Sequence, residues 1–168
     1  MMRASDAILS VRIQGAPATA IALPTTLRPI APLPAASTIQ RFVLGPDMMM
    51  GGMMGMTMGT FTINGRSFDM NRVDATARVG AVELWDVVNP TGMDHPFHLH
   101  GTQFQVVERV RGGVSTPASY AAWKDTVNVA RGETVRFKVR QDTAGVRMYN
   151  CHILEHEDQG MMGVLAVS

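Results

Sequence analysis

The sequence predicts an all-β fold, an antiparallel Greek-key sandwich, over residues 37–168. Short runs rich in β-branched residues recur along this region, and glycine, proline, asparagine or aspartate separates most of them. Short strands spaced between turn-forming residues are typical of a β-sandwich. With 168 residues, the chain is long enough for one domain with a substantial core.

The runs of β-branched residues and the turn-forming residues between them predict eight strands. They are Ile39–Leu44, Thr60–Ile63, Val82–Val88, Phe104–Val110, Thr126–Ala130, Thr134–Arg140, Val146–Tyr149 and Gly163–Val167. The run Asn89–Asp94 is rich in turn-forming residues, so we expect His95 to begin a further strand beside the one that carries Cys151. A short helix is expected near Ala118–Trp123.

Residues 1–36 are predicted to be a strand and a proline-rich interdomain linker. Ile8–Gln14 alternates apolar and polar residues, which is a strand pattern. Prolines then break up residues 15–36 and favour an extended segment; they are Pro17, Pro24, Pro29, Pro32 and Pro34. We expect this region to dock on the domain or to remain mobile.

The charge balance does not point to any particular partner. Fifteen basic and fourteen acidic residues leave a formal net charge of +1. There is no basic run, so we expect binding neither to nucleic acid nor to a membrane surface. No segment is apolar for long enough to span a bilayer, and residues 1–6 lack the apolar core of a signal peptide. The single cysteine excludes an internal disulfide.

The histidines and the cysteine indicate a metal site, because all of them fall within two short clusters. One cluster spans residues 95–100 and the other spans residues 151–161. A thiolate, two imidazoles and a weak axial thioether are the ligands of a blue-copper electron-transfer site. The matching residues are His95, Cys151, His156 and Met161.

The spacing of these residues predicts how the site is built. Cys-x4-His-x4-Met places three ligands on one tight loop that leaves a strand, and the fourth comes from a neighbouring segment. Because alternate residues of a strand point to opposite faces, His98 and His100 share a face. Asn150 and His152 project away from Cys151, so the copper and His152 are expected on opposite sides of the strand. One peptide link then joins Cys151 to His152 as a path for an electron.

Four segments resemble the C-terminal, third cupredoxin domain of bacterial multicopper oxidases. Residues 95–104 (HPFHLHGTQF) and 151–162 (CHILEHEDQGMM) are similar to the family's copper signatures. Residues 63–71 and 123–127 resemble the Met-rich cuprous-oxidase and laccase-like branch. The resemblance covers nearly the whole chain and implies a cupredoxin-like fold and export to the periplasm or outside the cell. It implies type 1 copper ligands at His95, Cys151, His156 and Met161, a type 2 ligand at His98 and type 3 ligands at His100 and His152.

Asn150 departs from the family pattern, which has histidine before the cysteine. An amide oxygen is a poor substitute for imidazole at a copper site. The family's oxygen-reducing trinuclear cluster also takes half of its histidines from another domain, and this sequence has no other His-x-His pair. We therefore expect little oxygen reduction by this chain alone. The sequence leaves open whether Asn150 is natural or a deliberate ligand deletion.

A methionine-rich segment is the second unusual feature of the sequence. Seven methionines lie between residues 48 and 58, interleaved with glycines. Thioethers select Cu(I), and glycines let the backbone wrap around a metal. Alternatively, this is a low-complexity loop whose methionines fill gaps.

The function predicted from the sequence is one-electron transfer through type 1 copper, from a Cu(I) or phenol-like small-molecule donor. Whether the chain by itself is an enzyme stays open. One alternative is a copper carrier that uses the methionine-rich segment. Another is a homo-oligomeric scaffold in which His98, His100 and His152 bind metal between subunits. For assembly, we expect a homo-oligomer, with a trimer favoured, whose histidine faces lie near the subunit contacts.

Overall fold

The computed structural model describes residues 9–15, 22–46 and 61–168. Within these residues, the strands are β1 Thr38–Pro46, β2 Phe61–Ile63, β3 Ala75–Ala77, β4 Val82–Asn89, β5 His95–Leu99, β6 Phe104–Arg111, β7 Val114–Pro117, β8 Thr126–Val129, β9 Glu133–Arg140, β10 Gly145–Cys151 and β11 Met162–Val167, and the helix is α1 Leu154–Asp158. The methionine-rich segment lies outside the described residues, so its copper-binding role stays a prediction. No described helix is both long enough and apolar enough to cross a membrane.

Two sheets form the predicted β-sandwich. The six-stranded sheet has the order β2-β1-β4-β9-β6-β7, and the five-stranded sheet has the order β3-β11-β10-β5-β8. Most neighbours are antiparallel, but β1 with β4 and β11 with β3 are parallel. The expectation of purely antiparallel pairing is therefore wrong for these two pairs. In each of them, at least one strand of the opposite sheet lies between the partners along the chain, so the partners can run in the same direction.

An aromatic core joins the two sheets. The ring of Phe42 in β1 lies 4.4 Å from that of Trp85 in β4 and 4.8 Å from that of Tyr149 in β10, measured between centroids. Phe97 of β5 lies 6.1 Å from Phe137 of β9. All five side chains are buried. Because Phe97 and Tyr149 belong to the strands that carry the histidine clusters, this packing fixes the position of both strands.

The strands predicted over residues 37–168 are present, with ends that shift by a few residues, and the expected strand at His95 is present as β5. Thr60 lies outside the described residues. The short strands β3 and β7, both at sheet edges, were not predicted. The helix expected near Ala118–Trp123 is wrong. This stretch is irregular, and its neighbour Lys124 exchanges backbone hydrogen bonds of 2.7 and 3.0 Å with Phe104 of β6.

The strand expected at Ile8–Gln14 is not formed over its described residues, 9–14. The apolar side chains of Leu9, Val11 and Ile13 are 78–96% exposed. An alternating pattern becomes a strand only when a sheet supplies hydrogen-bond partners and an apolar face to bury. The described structure supplies neither at this segment.

The proline-rich linker docks on the six-stranded sheet. Leu33 is buried, and its backbone N–H donates to Gln105 Oε1 at 2.8 Å. Gln105 Nε2 donates to the carbonyl of Ala31 at 2.9 Å, and Lys138 Nζ donates to the carbonyl of Leu33 at 3.1 Å. Residues 31–33 are therefore anchored by side chains of β6 and β9.

Candidate metal centre

Three buried side chains bring one ligand atom each to a common point. His95 Nδ1 lies 3.2 Å from His156 Nδ1, and Cys151 Sγ lies 3.5 Å from each of these nitrogens. The three residues are between 0 and 4% exposed. A thiol and two imidazoles that converge in this way form a group able to hold one metal ion.

Pairing between β5 and β10 places two of these ligands on the inner face of the sandwich. Cys151 lies opposite Phe97, and both side chains point into the core. His95 is two residues before Phe97 and therefore shares its face. Beyond the end of β10, the backbone N–H of His152 still donates to the carbonyl of Pro96 at 2.8 Å, which holds the two segments together.

The loop after Cys151 returns His156 to the same point and brings the backbone of Met161 beside Cys151 and His156. The sequence predicted a tight loop here, and the loop contains helix α1. Met161 N–H donates to the carbonyl of His156 at 2.8 Å, and Cys151 N–H donates to the carbonyl of Met161 at 3.0 Å. The Met161 side chain is fully buried. Gly160 has a φ of +104°, and a Cβ there would lie 2.9 Å from that of Ser67, so this return requires glycine.

Burial keeps the imidazoles of the site neutral. Burial, reinforced by the nearby His156, lowers the pKa of His95 to about 4. Burial also lowers the pKa of His156 and raises the pKa of the Cys151 thiol. Both rings therefore hold a free lone pair near neutral pH, whereas the thiol must release its proton when a metal binds.

Two contacts to these histidines were missed in the sequence. Phe61 of β2 stacks on His156, with 3.8 Å between ring centroids and 21° between planes. Thr91 Oγ1 lies 2.9 Å from His95 Nε2. The sequence predicts only a turn at Thr91 and only a strand at Phe61. Phe61, Thr91 and Met93 also line a depression of about 280 Å³ beside His95.

His98, His100 and His152 gather on the opposite face of the same strands. His98 lies opposite Asn150 of β10 and opposite Thr126 of β8. The His98 ring centroid lies 4.6 Å from that of His100 and 5.1 Å from that of His152. The predicted separation of the two clusters by strand alternation is therefore present in the structure.

In the inner cluster of His95, Cys151 and His156, the two Nδ1 atoms face each other and Cys151 Sγ. In the outer cluster of His98, His100 and His152, a hydroxyl and an amide oxygen lie next to ring nitrogens instead. His98 Nδ1 lies 2.9 Å from Thr126 Oγ1. The buried Asn150 donates from Nδ2 to the carbonyl of Cys151 at 3.1 Å, which leaves its Oδ1 to accept from His100 Nε2 at 3.2 Å. Among the described residues, the group whose ligand atoms all converge is the inner one.

Comparison with known proteins places the chain in one family. Residues 41–168 match the family model described as multicopper oxidase. The multicopper oxidase mco of Staphylococcus haemolyticus is 41% identical over 111 residues, which are 64% of this chain and 24% of that protein. The laccase of Haloferax volcanii is 35% identical over 148 residues, which are 87% of this chain and 25% of that protein. The chain therefore spans about a quarter of the length of these curated relatives.

Solved structures show the same relationship. A multicopper oxidase from Campylobacter jejuni, described as a metallo-oxidase, matches with a TM-score of 0.80 and 40% identity, over 89% of this chain and 34% of that one. A laccase from Pediococcus acidilactici matches with a TM-score of 0.66 and 37% identity, over 82% of this chain and 29% of that one. The resemblance inferred from the sequence motifs is confirmed: the chain belongs to the multicopper oxidase family and has the cupredoxin-like fold of one of its domains.

Proposed function

We propose that this chain is the blue copper, type 1, electron-transfer domain of a multicopper oxidase and corresponds to the third cupredoxin domain of such an enzyme. The observation that carries the proposal is the buried convergence of His95 Nδ1, His156 Nδ1 and Cys151 Sγ within 3.5 Å of one another. Family membership supports copper as the metal.

The donor set fits copper. A thiolate and two neutral imidazoles suit copper, whereas magnesium and calcium require oxygen ligands. We assign the weak axial position to Met161, which is fully buried and hydrogen-bonded through its backbone to Cys151 and His156. When bound at such a site, copper supplies one-electron chemistry by alternating between Cu(II) and Cu(I).

Residues around the site control access to it. Phe61 covers one face of the His156 ring, and burial excludes water from the ligands. We propose that a small phenol-like donor or Cu(I) approaches at the His156 edge, where Phe61 also lines the depression that reaches His95. Electrons would leave through the single peptide link from Cys151 to His152, whose ring stacks against His98.

The family's trinuclear cluster does not fit this chain alone. His98, His100 and His152 supply three imidazoles, and Asn150 offers an amide oxygen that already accepts a hydrogen bond from His100. We propose that this face meets an N-terminal domain in a complete oxidase. The isolated chain should then show little four-electron oxygen reduction, and oxygen uptake without release of peroxide would contradict this.

Location and assembly are further parts of the proposal. Multicopper oxidases are typically periplasmic or extracellular, and we propose the same for this chain. For the chain by itself, without such a domain on this face, we also propose a homo-oligomer, with a trimer favoured, because closed cyclic symmetry would cover the face of His98, His100 and His152 equally in every copy. Light scattering at micromolar concentration tests this, and a monomer both with and without copper would contradict it.

Absorption spectroscopy of the copper-loaded chain tests the main proposal. We expect a strong visible band from thiolate-to-copper charge transfer, and we expect Cys151→Ser to abolish it while the fold is retained. His152→Ala is the matched control, because it removes the adjacent side chain on the outer face and should leave the band in place. A visible band in Cys151→Ser would show that the site is assigned wrongly. Retention of Cu(I) by this variant would favour a copper carrier.

A further inference from the structure

We propose that Thr91, held by Asn89, is a positioning residue that fixes the tautomer of His95. In this tautomer Nε2 carries the ring proton, and Nδ1 presents its lone pair to the metal centre before any metal binds. The inference rests on the proposed function only for the identity of the metal. The position of the proton is a property of the metal-free chain.

Hydrogen bonds fix the orientation of the Asn89 side-chain amide. Asn89 is the last residue of β4 and is 1% exposed. Its Nδ2 donates to the carbonyl of Met93 at 2.8 Å and to the carbonyl of Val129 at 2.9 Å. A carbonyl oxygen only accepts, so Nδ2 must face these two groups. The Asn89 Oδ1 therefore faces Thr91.

The Thr91 hydroxyl donates its proton to an oxygen acceptor. Asn89 Oδ1 accepts from the Thr91 N–H at 3.0 Å and lies 2.7 Å from Thr91 Oγ1. An amide oxygen cannot donate, so the proton in the shorter contact belongs to the hydroxyl. The other oxygen near the hydroxyl is the carbonyl of Met93 at 3.2 Å, which also only accepts. Either acceptor uses the single proton that the hydroxyl has.

The contact with Thr91 determines which ring nitrogen of His95 carries the proton. Thr91 Oγ1 retains only lone pairs for His95 Nε2, which lies 2.9 Å away, so Nε2 must donate. A neutral imidazole carries one N–H, so an Nε2 that donates uses the single ring proton. Nδ1 of His95 is therefore without a proton.

The consequence concerns the geometry of the metal centre. Nδ1 is the His95 atom that faces Cys151 Sγ and His156 Nδ1, at 3.5 and 3.2 Å. His95 can therefore bind a metal without a ring flip or a proton transfer. Outer partners that hold a ligating histidine in this way fix the ring and its tautomer. Asn89 and Thr91 occupy that role within the turn that leads into β5.

NMR assignment of the histidine tautomers in the metal-free chain tests the inference directly. Long-range ¹H–¹⁵N correlations distinguish a protonated from an unprotonated ring nitrogen. We expect His95 to show an unprotonated Nδ1 and a protonated Nε2. A protonated Nδ1 in the unmodified chain would overturn the inference, whether or not any variant folds.

Variants at Thr91 test the role of the hydroxyl. Thr91→Val keeps the shape and removes the donor and acceptor, so we expect a mixed His95 tautomer and copper affinity about tenfold weaker. Thr91→Ser should restore both properties. Thr126→Val is the matched control, because it removes the hydroxyl next to His98 on the outer face and should leave the His95 tautomer unchanged.

The outcomes separate this inference from the proposed function. If Thr91→Val keeps a single Nε2-protonated His95, the assignment of Thr91 is wrong. If the tautomer is as expected but copper gives no visible band, the blue-copper proposal fails and the tautomer inference stands.

Discussion

The inner and outer clusters lie on opposite faces of β5 and β10, with His156 added to the inner one from helix α1, and they differ in what surrounds their Nδ1 and Nε2 atoms. On the inner face, Nδ1 of His95 and Nδ1 of His156 point at Cys151 Sγ and at each other, and all three residues are buried. On the outer face, Thr126 and Asn150 engage nitrogens of His98 and His100. Because successive residues of a strand face opposite ways, Cys151 belongs to a complete ligand set and the next residue, His152, belongs to an incomplete one. Similar clusters of histidines in a sequence can therefore have very different abilities to hold a metal.

Replacing one β5 histidine on each face should produce the largest difference in copper binding between the two clusters. We expect His95→Gln to abolish tight copper binding and the visible band, because it removes a ligand from a buried set. The loss should exceed the roughly 10- to 100-fold effect of removing an outer partner. His98→Gln, three residues along the same strand, should keep the band. Isothermal titration with copper measures both variants, and equal losses would mean that the faces do not act separately.

Asn150→His should make the outer cluster more like a metal site. The variant places a fourth imidazole among His98, His100 and His152 and removes the amide that occupies His100 Nε2. We expect a second metal equivalent to bind at least about tenfold more tightly than in the unmodified chain, with the visible band unchanged. Equilibrium dialysis with Zn²⁺, which is redox-inert, gives the stoichiometry. An unchanged second affinity would show that the outer face needs more than a ligand at position 150.

Gly163→Ala tests whether both clusters depend on one framework. Gly163 lies opposite Tyr149, and a Cβ there would lie 2.4 Å from the Tyr149 ring and hydroxyl. Tyr149 is buried in the aromatic core two residues before Cys151, so it cannot move aside. We expect a loss of about 1–3 kcal/mol in the free energy of unfolding, measured by chemical denaturation. Gly92→Ala is the control, since a Cβ there meets nothing within 4 Å, and it should cost less than about 0.5 kcal/mol.

Met161→Leu should have the smallest effect and sharpens the assignment within the inner cluster. Leucine fills a similar volume, so we expect the fold to lose less than about 1.5 kcal/mol. The thioether tunes the reduction potential more than it holds the metal, so the band should remain and the potential should rise. Redox titration followed in the visible band measures the change. An unchanged potential would count against an axial role for Met161.

Much of the fold could be predicted from local patterns in the sequence. Val82–Val88 and Thr134–Arg140 correspond to β4 and β9, because their alternation coincides with real burial in the core. The same alternation at Ile8–Gln14 predicted a strand that is not formed over its described residues. Periodicity reports which face a strand would bury. It does not report whether a neighbouring strand is available to pair with it.

The candidate site was predictable in its ligands and less so in its supports. Strand alternation gives the two faces, and the soft ligands near Cys151 give the chemistry. Thr91 and Asn89 could not be assigned because their roles depend on hydrogen bonds to Val129 and on the position of His95 Nε2. Phe61 reaches His156 across 95 positions of sequence, a contact that only the tertiary fold creates. Local sequence carries no record of such contacts.

The pairing of Cys151 with Phe97 makes the metal centre sensitive to whether a change in chain length is odd or even. Side chains of a strand alternate with a period of two, so inserting one residue between His95 and Phe97 would move His95 to the outer face. Inserting two would return it to the inner face, displaced along the strand. A slip of β5 by one position against β10 would likewise turn His95 outward and His98 inward. Whether the number of residues between two positions is odd or even thus decides which face binds the metal, as much as the residue types do.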